Sequence, residues 1–256
     1  MTNQYFKEPY FIPANDPEFL AEGETWVENN QRFRQKQKFD FYRNAMDFII
    51  ENDVSGSYFE FGVHRARTFT MVMSLDAFYS SNKGPTGGRL IPKSDGGYMD
   101  QYFAFDSFEG FPEGTNIESH PQYIPGAVAT SESEFLRLLK TFGQSTDRVR
   151  LISGFYDKSL TPDLASQLTT AGTTASLITV DCNLYESYKS VFEWVEQFMQ
   201  PGTVLYLDDF NTHRAQPNQG PKRAWNEFKE VSRFRFDPSC RSAGAGIRSS
   251  SVRCAD

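Results

Sequence analysis

Thr203-Val204-Leu205-Tyr206-Leu207-Asp208-Asp209 decides how this chain is read: a short run suited to the inside of a sheet, then two acids. Ser176-Leu177-Ile178-Thr179-Val180 has the same form and is ended by a third acid, Asp181. Short continuous apolar runs bounded by polar residues suit parallel strands buried on both faces. If the two strands are neighbours, their carboxyl ends bring three carboxylates together. Carboxylates do not crowd without a cation or a shared proton to offset their repulsion. One such Asp alone reads equally well as a loop acid or a helix cap. Three in this arrangement point to a hard divalent cation or to a base site.

Upstream, Tyr58-Phe59-Glu60-Phe61-Gly62 reads as a strand ending in glycine, and residues 68–79 as the helix after it. Tyr102-Phe103-Ala104-Phe105-Asp106 is another strand that ends in an acid. Residues 132–142 are expected to be helical, 149–152 extended, and 160–168 a short helix after the start signal Thr161-Pro162-Asp163. An amphipathic helix follows over 185–199, stopped by Pro201-Gly202, and another over 221–231. Residues 233–236 and 250–254 are expected to close the sheet as an antiparallel pair. Strands alternating with helices imply a doubly wound, mostly parallel α/β sheet covered on both faces. Residues 1–56 read as an irregular aromatic arm and a helix (26–52), ahead of a domain spanning 57–256. The segments 82–97 and 109–130 are rich in Gly and Pro. The first reads as an insertion, and the second is long enough to be a lid or binding loop.

The chain has 256 residues with 39% hydrophobic and 15% aromatic content, enough for a substantial core. A formal charge of −7 speaks against nonspecific nucleic-acid binding, which depends on neutralising phosphates. No apolar stretch approaches the length of a membrane span, and the first residues lack the pattern of a signal peptide. Cys182, Cys240 and Cys254 form neither a disulfide framework nor a zinc motif. A cytoplasmic setting and no membrane partner are therefore expected.

Two loops add chemistry to the acids. In Glu60-Phe61-Gly62-Val63-His64-Arg65, a glycine straight after a core strand lets the backbone turn sharply and approach a ligand. A plain turn glycine accounts for it equally well, and there is no GxGxxG set. Arg65 and Arg67 at the helix start could meet an anion. In Phe105-Asp106-Ser107-Phe108-Glu109-Gly110-Phe111-Pro112, an acid at the end of the second strand suits ribose hydroxyls, although such an acid often only caps a turn. Phe108 and Phe111 read as packing residues. Asp181 could ligate a metal or take a hydroxyl proton. His64, His120 and His213 are scattered.

These pieces occur in order with Gly154-Phe155-Tyr156-Asp157 and Asp181-Cys182-Asn183-Leu184-Tyr185-Glu186-Ser187. Over roughly residues 57–228 the chain resembles the macrocin O-methyltransferase (TylF/MycF) family. The resemblance implies a class I, Rossmann-like methyltransferase sheet of seven strands with an N-terminal helical extension. It also implies Mg²⁺-assisted methyl transfer from S-adenosylmethionine to a hydroxyl of a sugar or aromatic natural product. It assigns Glu60, Gly62 and Arg65 to the methionine end of the cofactor, and Asp106 with Ser107 to its ribose. Asp181, Asp208 and Asp209 would hold the metal, with Asp181 also the base. Asn183 departs from the pattern, since relatives commonly carry an acid there. The expected partner is a small hydroxyl-bearing acceptor. The aromatic N-terminal region offers a surface on which a second subunit could pack. A metal-independent methyltransferase and a non-catalytic binding protein of the same fold are the alternatives.

Overall fold

The computed structural model describes residues 25–81, 92, 97–113, 123–240 and 250–255. The expected arm, nearly all of the 82–97 insertion and the middle of the 109–130 loop lie outside the described residues. A single seven-stranded sheet organises the chain. Its strands are β1 (Gly56–Phe61), β2 (Met99–Asp106), β3 (Val149–Ser153), β4 (Ala175–Val180), β5 (Val204–Leu207), β6 (Arg235–Cys240) and β7 (Ser250–Ala255). They lie in the order β3-β2-β1-β4-β5-β7-β6. β3, β2, β1, β4 and β5 pair in parallel, and β7 runs antiparallel to both β5 and β6. The mostly parallel, doubly wound sheet with a closing antiparallel pair is therefore as the sequence reading expects.

Successive side chains on a strand point to opposite faces, and this chain uses that to build two cores. Tyr58, Tyr102, Ala104, Leu177, Val204 and Tyr206 join one cluster with the helices α1 (Thr25–Glu51), α2 (Arg67–Ser81) and α3 (Glu132–Thr141). Phe59, Phe61, Phe103, Phe105, Ile178 and Leu205 join the other. There they meet α5 (Pro162–Thr170), α6 (Tyr185–Val195) and α7 (Gly220–Val231). The one-turn helix α4 (Tyr156–Ser159) was not expected from the sequence; four residues give no periodicity to detect.

α1 lies on the sheet through a stripe of Phe41, Tyr42, Ala45, Met46, Ile49 and Ile50, all buried. That spacing repeats each helical turn and forms one face. The rings of Phe41 and Tyr42 sit 4.9 and 5.3 Å from that of Tyr206 on β5. Strand order reverses between β1, which continues to β2 on one side, and β4 on the other. Such a switch point opens a crevice at the carboxyl ends of the strands, where α/β proteins bind ligands.

Candidate active site

A cavity of about 1130 Å³ occupies that crevice. The residues to which the resemblance assigns the cofactor and the metal all line it: Glu60, Gly62, Arg65, Asp106, Ser107, Asp181, Asp208 and Asp209. The volume exceeds the roughly 300–1,000 Å³ of a pocket for one drug-sized ligand, leaving room for two reactants.

Gly62 sits where β1 and β4 meet. Its φ is 89°, and a β-carbon there would stand 2.0 Å from the Asp181 carbonyl oxygen. Only glycine lets the two strand ends close so tightly. The next turn is also unusual, since His64 and Ala66 adopt φ of 35° and 60°. This geometry turns the Val63 and His64 amides toward Asp106, whose Oδ2 accepts from them at 2.8 and 3.3 Å. Asp106 Oδ1 accepts from the Phe108 amide at 2.8 Å. A carboxylate has roughly four lone-pair sites, and three here go to backbone donors. Asp106 is thus first a clamp between the β1 and β2 loops. Ser107 holds its own turn, donating to the Gly110 carbonyl at 2.9 Å and accepting from the Glu109 amide at 3.1 Å.

Register places Val180 beside Leu207, so Asp181 and Asp208 are neighbours across β4 and β5. The Tyr188 hydroxyl pins the two strand ends, lying 2.6 Å from the Val180 carbonyl and 2.5 Å from that of Asp208. The carboxylates do converge, but they already have a cation. Lys38, on the first turn of the docked part of α1, places Nζ 2.5 Å from Asp208 Oδ2 and 3.1 Å from Asp181 Oδ2. Asp209, in left-handed backbone at φ 47°, instead accepts from the Asn183 side-chain amide.

Burial and the adjacent Asp208 push the Asp181 carboxyl well above the usual range, with Lys38 opposing. Asp208 is held low: burial would raise it, but the Lys38 ammonium and the hydrogen bond from Asp181 prevail. The lysine ammonium thus lies against both acids. This differs from the expected Mg²⁺ site. Among the described residues, no three His, Cys, Asp or Glu side chains are grouped to hold a metal ion.

Beneath the cavity floor runs a line of hydroxyls. Tyr42 Oη lies 2.8 Å from Thr179 Oγ1, which lies 2.9 Å from Tyr58 Oη, and Tyr58 donates to Glu60 Oε2 at 2.5 Å. Glu60 is buried and tied from below. Of the scattered histidines, His64 lines the cavity with Nδ1 3.1 Å from Thr130 Oγ1. The ring of His213 instead faces Tyr123 at 6.1 Å. Phe108 packs on Phe135, as expected of a core residue. Both ends of the 109–130 loop are fastened, with Gly126 donating to the Phe111 carbonyl and Phe111 to that of Ala127.

A family model described as Macrocin-O-methyltransferase (TylF) matches residues 87–237, more than half of the chain. The chain belongs to the macrocin O-methyltransferase family. As a member, it is an O-methyltransferase with the class I fold that uses S-adenosylmethionine. A tetracenomycin-type relative from Streptomyces olivaceus is 22% identical over 205 residues, covering 77% of this chain and 69% of that protein. Its full name is 8-demethyl-8-(2,3-dimethoxy-alpha-L-rhamnosyl)-tetracenomycin-C 4'-O-methyltransferase. The calicheamicin methyltransferase CalS11 superposes with a TM-score of 0.63 at 19% identity, covering 100% of this chain and 92% of that one. The O-methyltransferase NovP gives 0.61 at 17% identity, covering 86% and 80%. At such identities these structures bear on the fold of this family member and not on its substrate.

The residue that sequence reasoning missed is Lys38. A lysine on an amphipathic helix ordinarily reads as a solvated charge. A signal was nonetheless present, because Lys38 lies three and four residues before Phe41 and Tyr42 and so continues the buried stripe.

Proposed function

We propose that this enzyme transfers the methyl group of S-adenosylmethionine to a hydroxyl of a sugar carried by a small natural product, with Asp181 as the base. The observation that carries this reading is the placement of Asp181 and the Gly62 turn on the same cavity at the sheet's switch point. Bound there, S-adenosylmethionine supplies an activated methyl group. The cavity fits it: the Gly62 turn gives close backbone approach, Arg65 is suited to the methionine carboxylate, and Asp106 retains about one acceptor site for a ribose hydroxyl. The saccharide acceptor is suggested by the relative that methylates a rhamnosyl tetracenomycin.

Sugar hydroxyls are poor nucleophiles. Asp181, pushed upward in pKa, is a stronger base than an ordinary carboxylate once ionised, and it can take the proton as the oxygen attacks. Alignment of the two reactants within the cavity supplies much of the remaining rate. The described ends of the 109–130 loop are fastened to each other and line the same cavity. Asp181, Asp208 and Asp209 as arranged do not fit a divalent ion, because Lys38 and Asn183 hold their oxygens. No step is therefore assigned to Mg²⁺.

Isothermal titration with S-adenosylmethionine tests the donor half of the reading. Incubation with rhamnosylated aglycones, followed by mass spectrometry, tests the acceptor half. Cofactor binding and a product heavier by one methylene are expected. Absence of cofactor binding by well-folded protein sinks the proposal.

A further inference from the structure

We infer that Lys38 is the resident cation of this active site, occupying by its ammonium the place that a divalent metal would need between Asp181 and Asp208. The inference rests on the methyl-transfer reading for its catalytic consequence, but the replacement itself stands on geometry. Nζ lies 2.5 and 3.1 Å from the Oδ2 atoms of Asp208 and Asp181. A Mg²⁺ ion bound to both carboxylates would sit about 2.0–2.1 Å from its ligand oxygens. Ammonium and metal therefore compete for the same space.

The lysine is not a loose surface chain. Its side chain is 22% exposed, and Nζ lies over the Tyr206 ring at 5.6 Å. The next turn of α1 is locked on the same ring by Phe41 and Tyr42. A rigid element therefore delivers the charge. Asn183 completes the substitution. Its amide donates to Asp209, so the third carboxylate is satisfied by a neutral donor. A cluster carrying Lys38 and Asn183 needs less positive charge from outside than one carrying neither.

An ammonium has three N–H donors. Asp181 and Asp208 take two, and Lys38 lines the cavity, where the third meets an acceptor hydroxyl oxygen. In the transfer, that oxygen bonds to the methyl carbon as the carbon–sulfur bond breaks. The electron pair goes to sulfur, giving the neutral thioether, and the hydroxyl proton goes to Asp181. The Lys38 charge keeps the two carboxylates together and steadies the oxygen as negative charge develops on it. Lys38 is in this sense a catalytic residue that also positions Asp181.

Manganese(II) titration followed by electron paramagnetic resonance, run beside methyl-transfer assays with and without EDTA, tests the inference. Wild-type protein is expected to bind no Mn²⁺ at the cluster and to keep full turnover in EDTA. Lys38→Met is expected to gain Mn²⁺ binding and to lose turnover in EDTA by roughly 10²-fold. Added Mg²⁺ should restore part of that loss, and Lys38→Arg should retain metal-free turnover. Stoichiometric Mn²⁺ binding by wild type with loss of activity in EDTA overturns the inference. So does a folded Lys38→Met that neither binds Mn²⁺ nor loses turnover. The wild-type titration needs no variant, so misfolding of one leaves the test intact. Calorimetry with S-adenosylmethionine separates this failure from that of the functional reading, because cofactor binding does not depend on which cation is present.

Discussion

Glu60 is 1% exposed, and its carboxyl is pushed up to about 8 from 4.5. Burial causes the shift, and it outweighs the Tyr58 hydrogen bond and the Lys38 charge, which both act downward. Between those two values the folded chain holds a proton that the unfolded chain releases. The contribution of Glu60 to stability is therefore whole below about 4.5, falls as pH rises, and levels off above about 8. Glu60→Gln keeps a neutral acceptor for Tyr58 and removes the titration. Its melting temperature is expected to exceed that of wild type near the upper limit of that window and to match it near the lower. A scan of thermal unfolding against pH checks this, and parallel curves would contradict it. The same residue shows why a role read from sequence stays incomplete. An acid before a strand-ending glycine is visible as a candidate, whereas its Tyr58–Thr179–Tyr42 support joins residues 121 and 137 positions apart. Asp106 is similar, because its clamp on Val63 and His64 crosses 43 and 42 positions.

At the scale of elements, α6 fixes the geometry of the acids from below through Tyr188. Its hydroxyl reaches the Val180 and Asp208 carbonyls at adjacent strand ends, within an otherwise apolar cluster. Tyr188→Phe removes that bridge, and a buried polar group deprived of its partner costs about 1–3 kcal/mol. Urea denaturation should show a loss of that size, accompanied by a lower kcat from the loosened pair Asp181 and Asp208. An unchanged midpoint would contradict it. The strands themselves were legible because β1, β2, β4 and β5 are apolar runs punctuated by Gly or Asp. α4 was not, because its four residues span barely one turn and cannot repeat a pattern. Lys38 escaped notice because residue type alone does not separate a snorkelling surface lysine from one aimed inward. Only the docking of the helix makes that distinction.

In the whole molecule, α1 belongs to the same core as the sheet it covers. Phe41, Tyr42, Met46, Ile49 and Ile50 share one cluster with Tyr58, Leu177, Val204 and Tyr206. Deleting residues 1–52 would bare that face of β4 and β5 and remove Lys38 with it. The shortened chain is expected to bind the dye ANS and to lose a cooperative unfolding transition, as calorimetry would show. A cooperative, monodisperse product would mean that the helix is dispensable. Among the described residues no helix is long and apolar enough to cross a membrane. The ammonium of Lys38 and the hydroxyl of Tyr42 also act as two teeth of a key. Advancing α1 by one turn would set Tyr42 against the two carboxylates and leave their charge unanswered, while drawing the lysine away from Asp208. Greasy contacts alone would forgive such a slip, since the stripe repeats every turn. The polar teeth permit one register, so the helix that closes the core also verifies its own alignment.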